Sequence, residues 1–309
     1  MQYYFAPLEG LTDSVYRALH HKYFPGVDRY YTPFFSPTVH RSLTPRESRE
    51  LPPAGELGAF VVPQLLTKVA EDFTWMTTQC ADLGYREVNL NLGCPSGTVT
   101  AKGKGSGMLR DPDGLRRFFD EIFIQPSLPI SVKTRIGFSD PEEFAALLDI
   151  FNSYPICQLT IHPRVRTAFY AGTVDLDTFA YACEHAKMPL CYNGDLRTLQ
   201  DAERIAQKFP GVDAVMIGRG LIADPGMLTP GGTQISQLEG FYNELSQQYI
   251  KEFGGPRNAM FRMKEHWGML QRNFAGGEKL FKALRKTTDL QEYQNLTNQI
   301  FHTLEFSPQ

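Results

Sequence analysis

Residues 87–95 read EVNLNLGCP. The run Glu87–Leu92 predicts a buried strand, and it ends at a lone cysteine, Cys94, followed by proline. The next stretch, SGTVTAKGKGSGML at 96–109, is built from glycine, serine, threonine and lysine. It reads as a flexible loop whose backbone can approach a ligand closely. A helix-period segment lies on either side, at Val69–Leu83 and Asp113–Ile124. The unit is therefore helix, strand, functional loop, helix.

The same alternation runs through about residue 225. Further strands are expected at Tyr3–Ala6, Arg29–Pro33, Phe60–Leu65, Ile130–Thr134, Gln158–His162, Leu190–Asn193 and Ala214–Gly218. Helices are expected at Asp13–His20, Pro141–Asn152, Leu176–His185 and Thr198–Lys208. Asp13, Asp111 before Pro112, Asp140 before Pro141, and Thr198 supply start signals. Eight strands mostly separated by helices predict an α/β fold, a (β/α)8 TIM barrel rather than an open doubly wound sheet. The stretch 35–58, with two adjacent prolines, shows no clear helix. After TPGGT at 229–233 the chain is helical, at Ile235–Phe253, Asn258–Phe274, Glu278–Lys286 and Leu290–Leu304. This predicts a barrel over 1–232 and a small C-terminal all-α helical bundle over 233–309.

Of the 309 residues, 42% are hydrophobic and 21% charged, an ordinary globular balance. No apolar run reaches the ~20 residues of a membrane span, and no secretory signal is visible at the start. The five cysteines form no CxxC pair, which argues against a disulfide framework or zinc site and fits a reducing cytoplasm. The net charge of −3 is not that of a protein gripping nucleic acid by bulk charge. Any RNA binding must use local charge.

In a barrel, chemistry sits where strands end, with phosphate sites after the seventh and eighth strands. Those ends carry Asn193-Gly194-Asp195 and Gly218-Arg219-Gly220. Bare backbone N–H groups beside a guanidinium fork suit a phosphate; either turn alone is a common βα connection. Lys133 could set an ammonium against an electron-rich ring or be a snorkelling surface lysine. His162 could touch phosphate or ring, though a lone histidine is more often a satisfied structural one. Most free cysteines are small buried hydrophobes, which fits Cys80 and Cys157. Glycine before Cys94 and proline after it suit a positioned thiol. Near its reference pKa of ~8.5 such a thiol is a general acid.

With these residues in place the chain resembles the dihydrouridine synthase family. The matching pieces are APLEG at 6–10, Gln64, NLGCP at 91–95 with the glycine-rich loop after it, SVKTRIG at 131–137, IHPR at 161–164 with Tyr170, NGD at 193–195, IGRG at 217–220, and a helical tail carrying RMK at 262–264. The resemblance implies an FMN-dependent barrel that reduces a uridine of tRNA, with NADPH as reductant and the loop cysteine, Cys94, as proton donor. It assigns FMN to Pro7, Leu8, Glu9, Gln64, Lys133, His162, Asn193, Gly194, Asp195, Gly218 and Arg219. It assigns the uracil to Asn91. Candidate RNA contacts are Lys104, Arg164, Arg262, Lys264, Lys279, Lys282 and Lys286. It further implies a monomer, while cysteine usage and hydropathy point to a cytoplasmic protein with no metal and no membrane. The family's usual Gly-Arg-Thr after the histidine is here Pro163-Arg164-Val165, and proline removes a backbone N–H.

Other readings remain. A flavin barrel reducing a free pyrimidine, like dihydroorotate dehydrogenase, would share the cysteine and lysine but not the basic tail. A non-catalytic RNA-binding scaffold would need no thiol at Cys94. A generic phosphate-binding barrel would explain the NGD and GRG turns only.

Overall fold

A computed structural model describes residues 1–38, 40–56 and 58–308. Val39 and Leu57, within the irregular stretch, and Gln309, at the end of the expected bundle, lie outside the described residues. The strands are β1 (Gln2–Phe5), β2 (Arg29–Tyr31), β3 (Val61–Val62), β4 (Gln64–Leu65), β5 (Val88–Leu92), β6 (Ile130–Arg135), β7 (Leu159–His162), β8 (Leu190–Tyr192) and β9 (Ala214–Ile217). All pair in parallel, in the order β3-β2-β1-β9-β8-β7-β6-β5-β4.

The two ends of that order are halves of one strand. The expected single strand Phe60–Leu65 is broken at Pro63, which has no N–H to give to a ladder. Its carbonyl still accepts from the Asn89 N–H at 2.8 Å. On one side β3 pairs with β2, and on the other β4 pairs with β5, so the sheet closes into a TIM barrel. Side chains alternate as the pleat requires. Tyr4, Tyr31, Val62, Cys191 and Met216 form one buried cluster, while Phe5, Tyr30 and Val61 join a second that extends into the surrounding helices.

Start signals read from sequence act as expected at three helices. Asp13 accepts from the Tyr16 N–H, Asp111 accepts from the Gly114 N–H, and Thr198 forms a reciprocal box with Asp201. The stretch 35–58 differs from expectation, because it contains a short helix, Pro45–Glu50. Thr44 and Glu47 close a capping box around Pro45 in the first turn, a signal legible in TPRE.

The tail holds four helices, Ile235–Glu252, Pro256–Leu270, Glu278–Lys286 and Leu290–Thr303. Trp267 at its centre donates to the Tyr293 hydroxyl at 2.9 Å. The tail is docked on the barrel through its first two helices. Phe241 packs at 5.4 Å from Tyr16 and 5.2 Å from Phe24, and the Tyr249 hydroxyl donates to Asp13 at 3.0 Å. No helix among the described residues is long and apolar enough to cross a membrane.

Two neutral histidines sit in this seam. His20 shares a 2.9 Å hydrogen bond with the Tyr30 hydroxyl, and His266 donates through Nε2 to the Leu11 carbonyl at 3.0 Å. Burial pushes each pKa down to about 3, with the Arg262 guanidinium a second cause at His266. A folded value below the unfolded one gives stability that is complete above about pH 6.5 and lost as pH falls toward the folded value. At pH 5 each histidine therefore removes about 2 kcal/mol. His266→Gln keeps the donor and cannot titrate. Its loss of stability between pH 7 and pH 5 should be about 2 kcal/mol smaller than that of the unsubstituted protein. Identical pH profiles in denaturant titrations would contradict this.

Candidate active site

The strands end at one rim, and a pocket opens there. All of the residues assigned to the cofactor from sequence line it: Pro7, Leu8, Glu9, Gln64, Lys133, His162, Asn193, Gly194, Asp195, Gly218 and Arg219. Asn91 and Cys94 line it too.

A relay of buried amides fixes the cysteine. Asn89 Nδ2 donates to Ser131 Oγ at 2.9 Å, Gln64 Nε2 to Asn89 Oδ1 at 2.8 Å, and Asn91 Nδ2 to Gln64 Oε1 at 2.7 Å. Asn91 Oδ1 then accepts the backbone N–H groups of Gly93 and Cys94, at 3.0 and 2.9 Å. These polar side chains on β4, β5 and β6 point into the barrel and would be costly if unpaired. Asn91 thus braces the cysteine turn, a role the sequence reading did not give it.

The segment after Cys94 corrects a second expectation. It is not a loose loop. Residues Gly105–Arg110 form a 3-10 turn, buried over Gly105–Leu109, and Ser106 Oγ donates to the Cys94 carbonyl at 2.6 Å. Gly105 has φ +56, and a Cβ there would sit 3.1 Å from that of Cys94. Glycine supplies close approach here rather than mobility.

Cys94 is half-buried, and burial raises its thiol pKa even though the Ser96 amide, Arg135 and Lys133 pull it down. The thiol is therefore protonated at neutral pH, the state of an acid and not of a nucleophile. Burial, and then Arg135, push Lys133 down to about 8.

His162 is buried and held neutral by burial first, then by Lys133, Arg135, Arg164 and Arg219. Arg164 Nη1 lies 3.1 Å from His162 Nε2. Arginine only donates, so Nε2 accepts and the ring proton is on Nδ1. Arg164 itself corrects an expectation. Proposed from sequence as an RNA contact, it is only 3% exposed and is engaged by His162, Asp195 and the carbonyls of Ala171 and Gly172. The missing N–H at Pro163 leaves that network intact.

Neither glycine turn has room for a side chain, Gly220 being closed by backbone and Gly194 by neighbouring side chains. A Cβ on Gly220 would fall 2.6 Å from the Leu196 carbonyl, and one on Gly194 would fall 2.9 Å from Val174. Arg197 and Arg219 lie beside them, and Lys133 and Arg135 also line the pocket, against only Glu9 and Asp195 as acids. Bare backbone with a cationic excess fits a phosphate-bearing ring cofactor. Arg135 and Tyr170 stand in matching motifs that give them no role. Arg135 Nε donates to the Gly93 carbonyl at 2.9 Å, and the Tyr170 ring lies 5.4 Å from Arg135 and 5.3 Å from Arg219. Nothing in the local sequence marks Arg197.

The other RNA candidates lie away from the pocket. Lys104 lines a shallow depression with His40, Arg41 and Asp72. Lys264 is partly exposed and donates to the Thr287 carbonyl. Arg262 sits beside Gly10 and pairs with Glu265 at 3.2 Å. Lys279, Lys282 and Lys286 are exposed on one tail helix.

Fold and rim together define a parallel barrel whose cationic pocket, lined by glycine turns, holds a half-buried thiol. A dihydrouridine synthase (Dus) family profile matches residues 4–305, and the chain belongs to that family, which makes it an oxidoreductase. It is 26% identical to the "Probable tRNA-dihydrouridine synthase 1" of Synechocystis, over 96% of this chain and 86% of the relative. It is 27% identical to the "tRNA-dihydrouridine(16) synthase" of Pseudomonas putida, over 94% of each. Among solved structures, the old yellow enzyme homologue of Zymomonas mobilis superposes with a TM-score of 0.55 at 12% identity, over 72% of this chain and 86% of that one. That likeness shows the fold.

Proposed function

We propose that this dihydrouridine synthase reduces a uridine of tRNA to 5,6-dihydrouridine with FMN as cofactor and NADPH as reductant. The barrel, 1–232, would carry the chemistry and the tail, 233–309, would hold the RNA, in a protein that acts as a cytoplasmic monomer. The observation that carries the reading is Cys94, kept protonated by burial and pinned by the Asn91 relay at the rim of a cationic pocket.

A bound reduced flavin would supply the hydride that C6 of the base gains. The chain's own residues do the rest. Gly194, Gly218 and Arg219 would hold the flavin's phosphate, with Pro7 and Leu8 beside its ring system. Lys133 and the Nδ1–H of His162 supply positive charge and a donor at the pocket wall. Cys94 gives its proton to C5, so the double bond gains a hydride and a proton, and solvent reprotonates the thiolate. The target base must leave its stack to reach the thiol. Release of bound flavin by heat, with identification by chromatography, tests FMN. FAD, or no flavin, would overturn that part. Uridine 16, the position named for the Pseudomonas relative, is the first to examine.

The exposed face of Lys279, Lys282 and Lys286 gives a separate test. Changing all three to Glu should weaken tRNA binding and reduce its salt slope by about one unit for each phosphate no longer neutralised. An unchanged slope in filter-binding titrations would move the RNA path off this helix.

A further inference from the structure

One aromatic side chain at the rim stands outside the machinery described so far. Phe169 is 45% exposed, and its backbone has φ +50 and ψ −102. Glycine occupies that region readily, whereas a bulky side chain is strained there. Phe169 precedes Tyr170, which lines the pocket.

Behind Phe169 runs an alternating stack of cations and rings. The Arg166 guanidinium lies 4.8 Å from the Phe169 ring centre and 5.3 Å from that of Phe138. Arg110 lies 4.4 Å from the same Phe138 ring. Arg166 Nε is buried with no hydrogen-bond partner, so the rings hold that edge of the group. Its Nη2 donates to Thr100 Oγ1 at 3.1 Å, and Arg110 donates to the Thr100 carbonyl at 2.9 Å. Thr100 lies on the segment that follows Cys94. The stack is thereby tied to the element that carries the proton donor, and Phe169 is its exposed end.

We propose that Phe169 is a stacking platform for a nucleobase of the RNA strand next to the target uridine. This rests on the tRNA reading above. A strand whose target base is turned into the pocket must lay its neighbours across the rim. Single-stranded bases are held on aromatic faces, and this stack presents one with a guanidinium behind it. The occupant is a base and not a phosphate, because the outermost group is a neutral ring with its cation behind it. Phe169 is a substrate-binding residue and takes no part in the proton transfer.

The test compares Phe169→Gly, Phe169→Leu and Phe169→Tyr for unmodified tRNA binding over a range of salt, together with Tm. Phe169→Gly relieves the backbone, so its Tm should equal or exceed that of the unsubstituted protein. Its affinity for tRNA should fall about 5- to 100-fold, the worth of one stacked base. The salt slope should not change, since Phe169 neutralises no phosphate. Phe169→Leu should bind as weakly as Phe169→Gly, and Phe169→Tyr should bind like the parent. Leu and Tyr share the strained backbone, so their contrast isolates the ring even if Gly alters the loop. Parent-like affinity in Phe169→Gly or Phe169→Leu would overturn the platform alone. Failure of the unsubstituted protein to bind tRNA would overturn the functional reading, and the platform with it.

Discussion

Cys94→Ala should bind flavin and accept electrons from NADPH as the parent does, yet turn over tRNA about 10²- to 10⁴-fold more slowly. The range is what a positioned general acid contributes. The relay that places residue 94 ends on backbone N–H groups, so the substitution removes the proton donor and leaves the turn in place. Cys94→Ser is a sharper probe. A serine hydroxyl keeps an X–H group at that position and hydrogen-bonds more strongly than a thiol, but it is a far weaker acid, so this variant should also be slow. Stopped-flow traces of flavin reduction and of its reoxidation by tRNA separate the two halves. Full-rate reoxidation in either variant would remove Cys94 from the chemistry.

Arg164→Met should lose bound flavin and about 3 kcal/mol of stability, the low end for breaking a buried pair. The low end applies because the Asp195 side chain is 34% exposed and part of its charge stays in water. Arg164 links three things at once: His162 in its accepting state, Asp195 in the turn at positive φ, and the carbonyls of the loop before Val174. Without it, His162 loses the donor that fixes its tautomer. Asp195 keeps only Arg219, at 3.4 Å. Flavin content after purification and a urea titration report the two effects. A variant with full flavin and parental stability would show that the network does not organise the pocket.

The barrel was legible because its strands are short buried runs between capped helices, and because rim residues follow the strands at regular intervals. Pro63 concealed the barrel's seam, since one apolar run through a proline looks like one strand while its two halves serve different neighbours. The pocket-lining set was legible because a resemblance in motif order carried positions that spacing alone left open. What the sequence could not show was which polar groups face each other. Asn91 reads as a substrate ligand, and nothing in the sequence shows that its carbonyl oxygen also holds the Cys94 amide. Arg164 reads as an RNA contact until its partners inside the fold appear. Phe169 gives no signal, because neither exposure nor a positive φ is written in a phenylalanine.

This pocket is proposed to reduce a uridine within tRNA. The most direct test reduces the purified protein with NADPH without oxygen and then adds unmodified tRNA, free uridine or orotate. The account predicts that tRNA alone restores the oxidised flavin spectrum and that the RNA gains two hydrogens per flavin reoxidised. Reoxidation by a free pyrimidine with no response to tRNA would contradict it and point to a small-molecule reductase.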